Sequence, residues 1–357
     1  MEVFERAAGE HHEQVVFCLD ASTGLRAIVA IHSTALGPAL GGTRFHPYPS
    51  EAEALDDVLR LARQMTYKSA AAGLDLGGGK AVILGDPGRD RSEGLFRAYA
   101  RFVDSLGGRY ITAEDVGTTQ EDMDLVRTET RHVTGVSLSL GGSGDPSVAT
   151  AKGVVRAMEA VAAHLWRDRT LAGRHVVVSG VGKVGAELAG RLRRIGAHVT
   201  VSDVRAAVAE QVASAIGADT VHPDKAHATE CDIFAPCALG GALNPVSIAE
   251  LRCAAVVGSA NNQLADQSCP ARLAEAGVLY APDYIANAGG VINIAQELAG
   301  YDPDRAEAGI DRIFQTTTTV LAAAAQGRIT PVEAADALVE ARLRAPGVRA
   351  RRPVRKG

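Results

Sequence analysis

The chain has 357 residues, 46% of them hydrophobic and 22% charged, which is material for two hydrophobic cores and favours two domains over one. A formal net charge of -5 and a pI near 6.1 give no electrostatic footprint for nucleic acid or an acidic membrane surface. The five cysteines are odd in number and include no C-x-x-C pair, so neither a disulfide framework nor a zinc site is indicated. The start, MEVFERAAGEHHEQ, lacks the basic end and apolar core of a signal peptide, and no later apolar run is long enough to span a bilayer. A cytoplasmic protein with no membrane partner is expected.

Taken in order, Val15 to His32 holds two strand-like runs, VVFCLD and LRAIVAIH, around the turn Ala21 to Gly24, an opening hairpin. The segment GPALGGTRF follows. Its glycines Gly37, Gly41 and Gly42 around Leu40 read as a loop whose bare amides meet a carboxylate, or as a turn ending a strand. Ser50 and Glu53 form a capping-box signature, and Leu55, Val58, Leu59, Ala62 and Met65 repeat at helical spacing, so a helix delivers Tyr67 and Lys68 at its end.

From Met65 to Ile83 the chain reads MTYKSAAAGLDLGGGKAVI, with Lys68 and Lys80 on either side of a loop of Ala and Gly. Two ammonium groups in a partly dry cleft disfavour charge, so at least one lysine is expected to have a depressed pKa and to serve as a base. Gly77, Gly78 and Gly79 would let the backbone approach a small substrate. The alternative is a Gly-rich turn followed by a surface lysine.

Ala81 to Leu84 reads as a short strand, GDPGRDRS as a turn, and Glu93 to Leu106 as a helix with Leu95, Phe96, Tyr99, Phe102 and Val103 inward. Tyr110 to Thr112 is a strand running into AEDVGTTQEDMD. There Thr119 caps the next helix, and Glu121 and Asp122 suit its first turn. Asp115 has no such part to play. A strand end would present it to a cleft, where a carboxylate balances the two lysines and can shuttle a proton. No histidine lies within ligand spacing, so no metal is expected.

The segment LGGSGDPS, Leu140 to Ser147, is the candidate domain boundary and hinge. Ser147 then caps a helix through Val148, Ala151, Val155, Met158 and Val161 that ends near Trp166. The run HVVVSGVGKVGAEL is a strand, a G-x-G-x-x-G turn and a helix. Its glycines are Gly180, Gly182 and Gly185, with Val181, Lys183 and Val184 between them. Asp203 closes the next strand at the distance a dinucleotide site requires. The first glycine makes the turn, the second admits the pyrophosphate, and the helix N-terminus supplies positive potential. Asp203 would bond the ribose hydroxyls and repel a 2′-phosphate, favouring NAD over NADP, although Arg205 stands nearby.

The later runs CDIFAPCALGG, AAVVGSANNQ and GVLYAPDYIANAGG each end in small or polar residues. Ligands of doubly wound sheets sit beyond the carboxyl ends of strands, which puts Cys237, Ala238, Asn261 and Asn262 on the nicotinamide side. Plain loop structure is the alternative, and for Cys237 a packing role is favoured because nothing nearby would activate a thiolate. Helices are expected over Gly289 to Leu298, Ala306 to Ala325 and Pro331 to Leu343, then a basic, solvated tail, APGVRARRPVRKG.

Together the segments GPALGGTR, MTYK, LDLGGGKAVI, TAEDVGT, GVGKVG, APCALG, GSANNQL and APDYIANAGGVIN, in this order along nearly the whole chain, resemble the Glu/Leu/Phe/Val amino-acid dehydrogenase superfamily, nearest the leucine and valine enzymes. The resemblance implies two α/β domains with a cleft between them. Residues 1–145 would bind substrate and form oligomers, with helices of 330–357 packing back on them. Residues 146–329 would be a Rossmann-type doubly wound NAD-binding domain.

By the same likeness Lys68 holds the substrate carboxylate, Lys80 is the low-pKa base that activates water, and Asp115 assists proton transfer at the amino group. The peptide around Gly41 and Gly42 and the side chain of Asn261 or Asn262 complete the substrate and nicotinamide contacts, with Thr150 near the carboxamide. The side-chain pocket would be walled by Leu40, Ala113, Val291 and Ile294.

All four are apolar, which implies branched-chain aliphatic amino acids, with 2-oxo acid and ammonia as the other small-molecule partners and a homo-oligomeric enzyme. Glutamate relatives carry a lysine where Leu40 stands, and phenylalanine enzymes, an alternative, tend to have glycine at Ala113. A NAD-binding sensor without turnover would not need Lys68, Lys80 and Asp115 together. A 2-hydroxy-acid dehydrogenase would want a catalytic histidine near a strand end, and none of the ten is so placed.

Overall fold

The structure is a computed structural model that describes residues 3–9 and 11–345. It divides into two compact units. The first takes the described residues through Gly144, Ile294–Pro303 and those from Val339 onward; the second takes Asp145–Asn293 and Asp304–Leu338.

The first unit runs α1 (Val3–Gly9), β1 (Gln14–Asp20), β2 (Leu25–Ser33), β3 (Ala39–His46), α2 (Glu51–Ala71), β4 (Gly77–Leu84), α3 (Glu93–Ser105), β5 (Tyr110–Glu114) and α4 (Gln120–Arg127). The opening hairpin is closed by Asp20, whose carboxylate accepts the Ser22 and Thr23 amides. Ser50 caps α2 by accepting the Glu53 amide, and Thr119 and Asp122 form a reciprocal capping box on α4. The strands form one sheet in the order β1-β2-β4-β3-β5. β2 is antiparallel to both neighbours, while β4, β3 and β5 are parallel.

Alternation along each strand gives the sheet two covered faces. On one, Val29, Ile31, Phe45, Ala81, Ile83 and Tyr110 pack against Phe96, Tyr99 and Val103 of α3. On the other, Ile28, Ala30 and Val82 pack against Leu55, Val58, Leu59 and Ala62 of α2. Each large side chain buried this way contributes about 1.5–3 kcal/mol.

Two segments expected as loops are strands. GPALGGTRF supplies β3, and Gly77, Gly78 and Gly79 begin β4 rather than preceding it. Composition argues against so much glycine inside a strand, because it weakens the element unless another backbone comes close. Here one does. A Cβ at Gly78 would lie 1.9 Å from the Thr66 amide nitrogen of α2, and one at Gly41 would lie 1.7 Å from the Gly79 carbonyl oxygen. Chain packing against chain is enough to require glycine at both positions. Helix α1 was not expected from the sequence; it is short and buries none of its residues.

The second unit continues with α5 (Pro146–Trp166), β6 (His175–Ser179), α6 (Lys183–Ile195), β7 (His198–Ser202), α7 (Ala206–Ile216), β8 (Asp219–Thr220), β9 (Cys231–Pro236), α8 (Pro245–Glu250), β10 (Cys253–Val256), α9 (Cys269–Glu275), β11 (Leu279–Tyr280) and α10 (Asp283–Ala286). Then come α11 (Gly289–Ala295), α12 (Pro303–Gly327) and α13 (Pro331–Arg344). All pairs in its six-stranded sheet are parallel, in the order β11-β10-β9-β6-β7-β8. The chain therefore starts at the centre, winds one way through β8, and restarts at β9 on the other side of β6. That is the Rossmann order, with its switch point between β6 and β9. Asp145, not Ser147, caps α5 by accepting the Ser147 amide at 2.8 Å, with Pro146 at the first helical position.

Two details depart from the expected organisation. Ile294–Pro303 groups with the first unit, where Glu297 accepts the Gly135 and Ser143 amides at 2.8 and 2.9 Å. Residues 330–338, expected on the first domain, group with the second. Only the end of α13 joins the first unit, where Arg342 donates to the Ala70 carbonyl at 2.6 Å. The basic tail from Pro346 lies outside the described residues. Among the described helices none is long and apolar enough to cross a membrane.

Replacing Gly78 by alanine should push α2 off the sheet. Thermal unfolding followed by circular dichroism should show a destabilisation of about 1–3 kcal/mol, at least as large as other overpacked core sites; an unchanged melting curve would refute the packing explanation.

Candidate active site

The strand register places Leu40, Gly42 and Arg44 of β3, Gly78 and Lys80 of β4, and Ala113 of β5 on the sheet face that α2 covers. Asp115 follows β5 directly. Gly42 brings it in: a Cβ there would lie 2.4 Å from the Glu114 carbonyl oxygen and 3.0 Å from the Asp115 Cβ. The result is a buried ion pair, with Lys80 Nζ 3.0 Å from Asp115 Oδ1 and the Lys80 side chain only 6% exposed.

The second carboxylate oxygen of Asp115 accepts from Arg44 Nε at 3.0 Å. Arg44 in turn donates to Asp57 of α2 at 2.8 Å, and Asp57 also accepts from the Tyr48 hydroxyl at 2.7 Å and from Arg60. Six side chains from β3, α2, β4 and the segments after β3 and β5 thus form one polar chain, five of them charged.

Burial pushes the Lys80 ammonium below its ordinary 10.5; the Asp115 charge opposes that, Arg44 adds to it, and the net direction is down. For Asp115, burial alone would raise the carboxyl, but the Lys80 and Arg44 charges outweigh it and hold the group below 3.8. Asp115 is therefore ionised at neutral pH, and Lys80 is a lysine whose neutral form has been brought within reach.

Lys68 lies in the last turn of α2, half-buried, on the helix that covers this face. Lys68 is thus supplied by a helix end, as expected, and Lys80 by a strand. Leu40 and Ala113 are buried at 0% and 3% exposure. Val291 and Ile294 both belong to α11, Val291 in the second unit and Ile294 in the first. Arg44 and Asp57 were not singled out from the sequence. Asp57 reads there as an ordinary helix-surface carboxylate, and nothing in the chain links it to an arginine 13 residues earlier.

In the second unit the glycine turn lies between β6 and α6. Gly180 has φ +98°, and a Cβ there would lie 2.6 Å from that of Ala238. At Gly185 a Cβ would lie 1.9 Å from the Gly180 carbonyl oxygen and 3.3 Å from the Cys237 Cβ. Gly182 is different: nothing lies within 4 Å of a Cβ built there, and as the residue capping α6 it offers no side-chain acceptor to the first amides. Packing does not explain this glycine. An open space before a helix N-terminus with uncapped amides fits a pyrophosphate, so these residues suit a dinucleotide.

Asp203 accepts the Val181 amide at 3.1 Å and the Arg205 amide at 3.0 Å. Burial acts to raise this carboxyl, but those two bonds and the Arg205 charge hold it below 3.8. Arg205 sits 3.5 Å from it. Val184 is half-buried, and Lys183 projects outward, 3.6 Å from Asp145. The Thr150 hydroxyl donates to the Pro146 carbonyl at 2.9 Å, and a Cβ at Gly290 would lie 2.7 Å from its oxygen.

Cys237 packs against the glycine turn, and burial pushes its thiol up, which disfavours a thiolate there. Asn262 adopts φ +53°, and its carbonyl accepts the Gly241 amide at 2.7 Å. Asn261 accepts from the Asn287 amide group at 2.8 Å. Asn287 was not singled out; it lies inside the segment APDYIANAGG, but its position beneath Asn261 is a tertiary fact. Among the described residues no group of three or more His, Cys, Asp or Glu side chains could hold a metal ion.

A Rossmann sheet with an open glycine turn, in a chain whose other α/β unit buries a lysine and an aspartate together, defines a two-domain nicotinamide-dependent dehydrogenase. Comparison with known proteins narrows this. Residues 12–132 match the Glu/Leu/Phe/Val dehydrogenase dimerisation domain, and residues 141–218 and 209–338 match the Glutamate/Leucine/Phenylalanine/Valine dehydrogenase family. The chain belongs to that family. It is 51% identical to the leucine dehydrogenase of Thermoactinomyces intermedius, covering 96% of this chain and 94% of that one. It is 53% identical to the valine dehydrogenase of Streptomyces coelicolor, covering 93% and 92%. The crystal structure of L-tryptophan dehydrogenase from Nostoc punctiforme superposes with a TM-score of 0.83 at 41% identity, covering 96% of this chain and 98% of that one.

Gly182→Ala should leave thermal stability within about 0.5 kcal/mol of the parent, because its methyl group meets no protein atom. Binding of reduced nicotinamide dinucleotide, read by fluorescence titration, should weaken roughly tenfold or more through lost approach to the pyrophosphate. Unweakened binding would remove Gly182 from the cofactor site.

Proposed function

We propose that this chain catalyses the reversible, NAD-dependent oxidative deamination of branched-chain aliphatic L-amino acids, namely valine, leucine and isoleucine, to 2-oxo acids and ammonia. The observation that carries the proposal is the buried Lys80–Asp115 pair on the sheet face that α2 covers, in a chain half identical to leucine and valine dehydrogenases.

When bound, the nicotinamide accepts the hydride that leaves the substrate α-carbon. Lys68 holds the substrate carboxylate, helped by the peptide at Gly41 and Gly42. Loss of hydride leaves an iminium, and neutral Lys80 takes a proton from water as the water oxygen adds to it. Asp115, ionised and bonded to Lys80, relays the proton that Lys80 has taken to the amino nitrogen; Lys80, neutral again, then takes the carbinolamine hydroxyl proton as the C–N bond breaks, which leaves 2-oxo acid, ammonia and protonated Lys80. Thr150, Gly180, Val181, Gly182, Lys183, Val184, Gly185, Cys237, Ala238, Asn261 and Asn262 would hold the dinucleotide or meet the substrate. Ionised Asp203 would select NAD over NADP.

Specificity follows from the wall. Leu40, Ala113, Val291 and Ile294 offer no cation to a glutamate side chain, whose buried carboxylate would go unpaired. An aromatic substrate is the second reading, favoured by the 41% identity to a tryptophan dehydrogenase; the methyl group of Ala113 opposes it. One methyl discriminates by about 1–3 kcal/mol, so all three aliphatic substrates should be turned over, with kcat/KM values within roughly 200-fold of one another.

The reading includes a homo-oligomer in the cytoplasm. Edge strand β1 supports the first part, with Phe17 and Leu19 exposed at 54% and 70% beside unpaired backbone groups; the free thiols of all five cysteines suit a reducing compartment. Light scattering on the purified chain should give a multiple of the monomer mass, and a monomeric mass would refute the assembly.

Purified protein with NAD should generate reduced-nicotinamide absorbance with valine, leucine and isoleucine, and less with phenylalanine or glutamate. Faster turnover of either of the latter would overturn the substrate class. Lys80→Ala should lower kcat by about 100- to 10,000-fold while dinucleotide binding persists. In the parent enzyme, kcat/KM should rise with pH as Lys80 loses its proton, along a limb whose midpoint lies below 10.5.

A further inference from the structure

A base lysine paired with an aspartate faces a physical difficulty. The carboxylate that orients Lys80 also stabilises its ammonium form, and once Lys80 is neutral a carboxylate would remain in a buried place without a counter-charge. Asp115 avoids this by having two partners. Oδ1 meets Lys80 at 3.0 Å and Oδ2 meets Arg44 Nε at 3.0 Å. Arg44 does not turn away, because its other face donates to Asp57 at 2.8 Å and Asp57 is itself bonded to Tyr48 and Arg60. The side chains of Arg44 and Asp57 are 23% and 15% exposed, so the bridge is shielded from solvent.

We propose that Arg44, anchored by Asp57, is the positioning residue of the reaction: it keeps Asp115 ionised and fixed while Lys80 gives up and regains its proton. The proposal rests on Lys80 acting as the base. Three charged groups act on Lys80: Asp115 after β5, Arg44 from β3 and Asp57 from α2. Arg44 acts to lower the Lys80 pKa, whereas Asp115 and Asp57 act to raise it. A guanidinium is suited to the task, since its planar fork spans two carboxylates and it never deprotonates.

The opposed signs supply the test. The pH dependence of kcat/KM for leucine with NAD would be measured for the parent, Arg44→Gln, Arg44→Lys and Asp57→Asn, with circular dichroism to confirm folding. Removing the Arg44 charge should move the acid limb to higher pH, and removing the Asp57 charge should move it to lower pH, each by at least about 0.5 unit. Arg44→Gln should also lose roughly 10- to 100-fold in kcat with KM little changed. Arg44→Lys, which keeps the charge without the fork, should hold the parental limb and recover part of kcat.

Limbs that stay put, or that move the same way in Arg44→Gln and Asp57→Asn, would overturn the role of Arg44 while leaving an active parent enzyme intact. Should Arg44→Gln fail to fold, the parental limb of Arg44→Lys and the lowered limb of Asp57→Asn decide the matter. A parent protein inactive on every amino acid would overturn the deamination reading, and this proposal with it.

Discussion

The structure turns on one electrostatic constraint: a lysine ammonium buried on the face of a sheet beneath a helix. Several kcal/mol are needed to bring each member of such a pair out of water, and their attraction returns that only when geometry and further hydrogen bonds are good. Lys80 and Asp115 meet the condition because Asp115 follows a strand end drawn close by Gly42, and because Arg44 satisfies its remaining oxygen. The same burial that makes the pair expensive makes it useful. It lowers the lysine pKa without removing the anion that orients it.

Glycine serves two distinct purposes here, and sterics separate them. At Gly41, Gly42 and Gly78 a methyl group would strike neighbouring backbone, so these residues build the scaffold on which the charged groups stand. At Gly182 a methyl group would meet nothing, so that position has been left open for something outside the chain. Gly180 and Gly185 return to the first purpose, packing the turn against Ala238 and Cys237. Only one of the three glycines in the dinucleotide turn is thus unexplained by the fold.

Much of the architecture was legible in the sequence because it is written in local patterns. The hairpin, the amphipathic helices and the β-branched strand before the glycine turn each announce themselves within a dozen residues. Misreadings fell where a local rule was overridden from elsewhere in the chain. β3 and the start of β4 look like loops because glycine is a poor strand former, yet neighbouring backbone, and at Gly78 the covering helix, leaves no room for a side chain there. The cap of α5 fell on Asp145 rather than Ser147, since proline at the first helical position moves the start by two residues.

The sequence by itself determined the two-unit α/β plan and the dinucleotide turn, and it pointed to Lys80 and Asp115, which the fold brings together, because residue type and spacing carry that information along the chain. Only the tertiary structure decided what Lys80 and Asp115 are bonded to. Arg44 and Asp57 entered the cluster because strand register and helix packing put them there. Coulomb interaction depends on distance in space, and residues far apart in a chain carry no mark of being 3 Å apart in the fold.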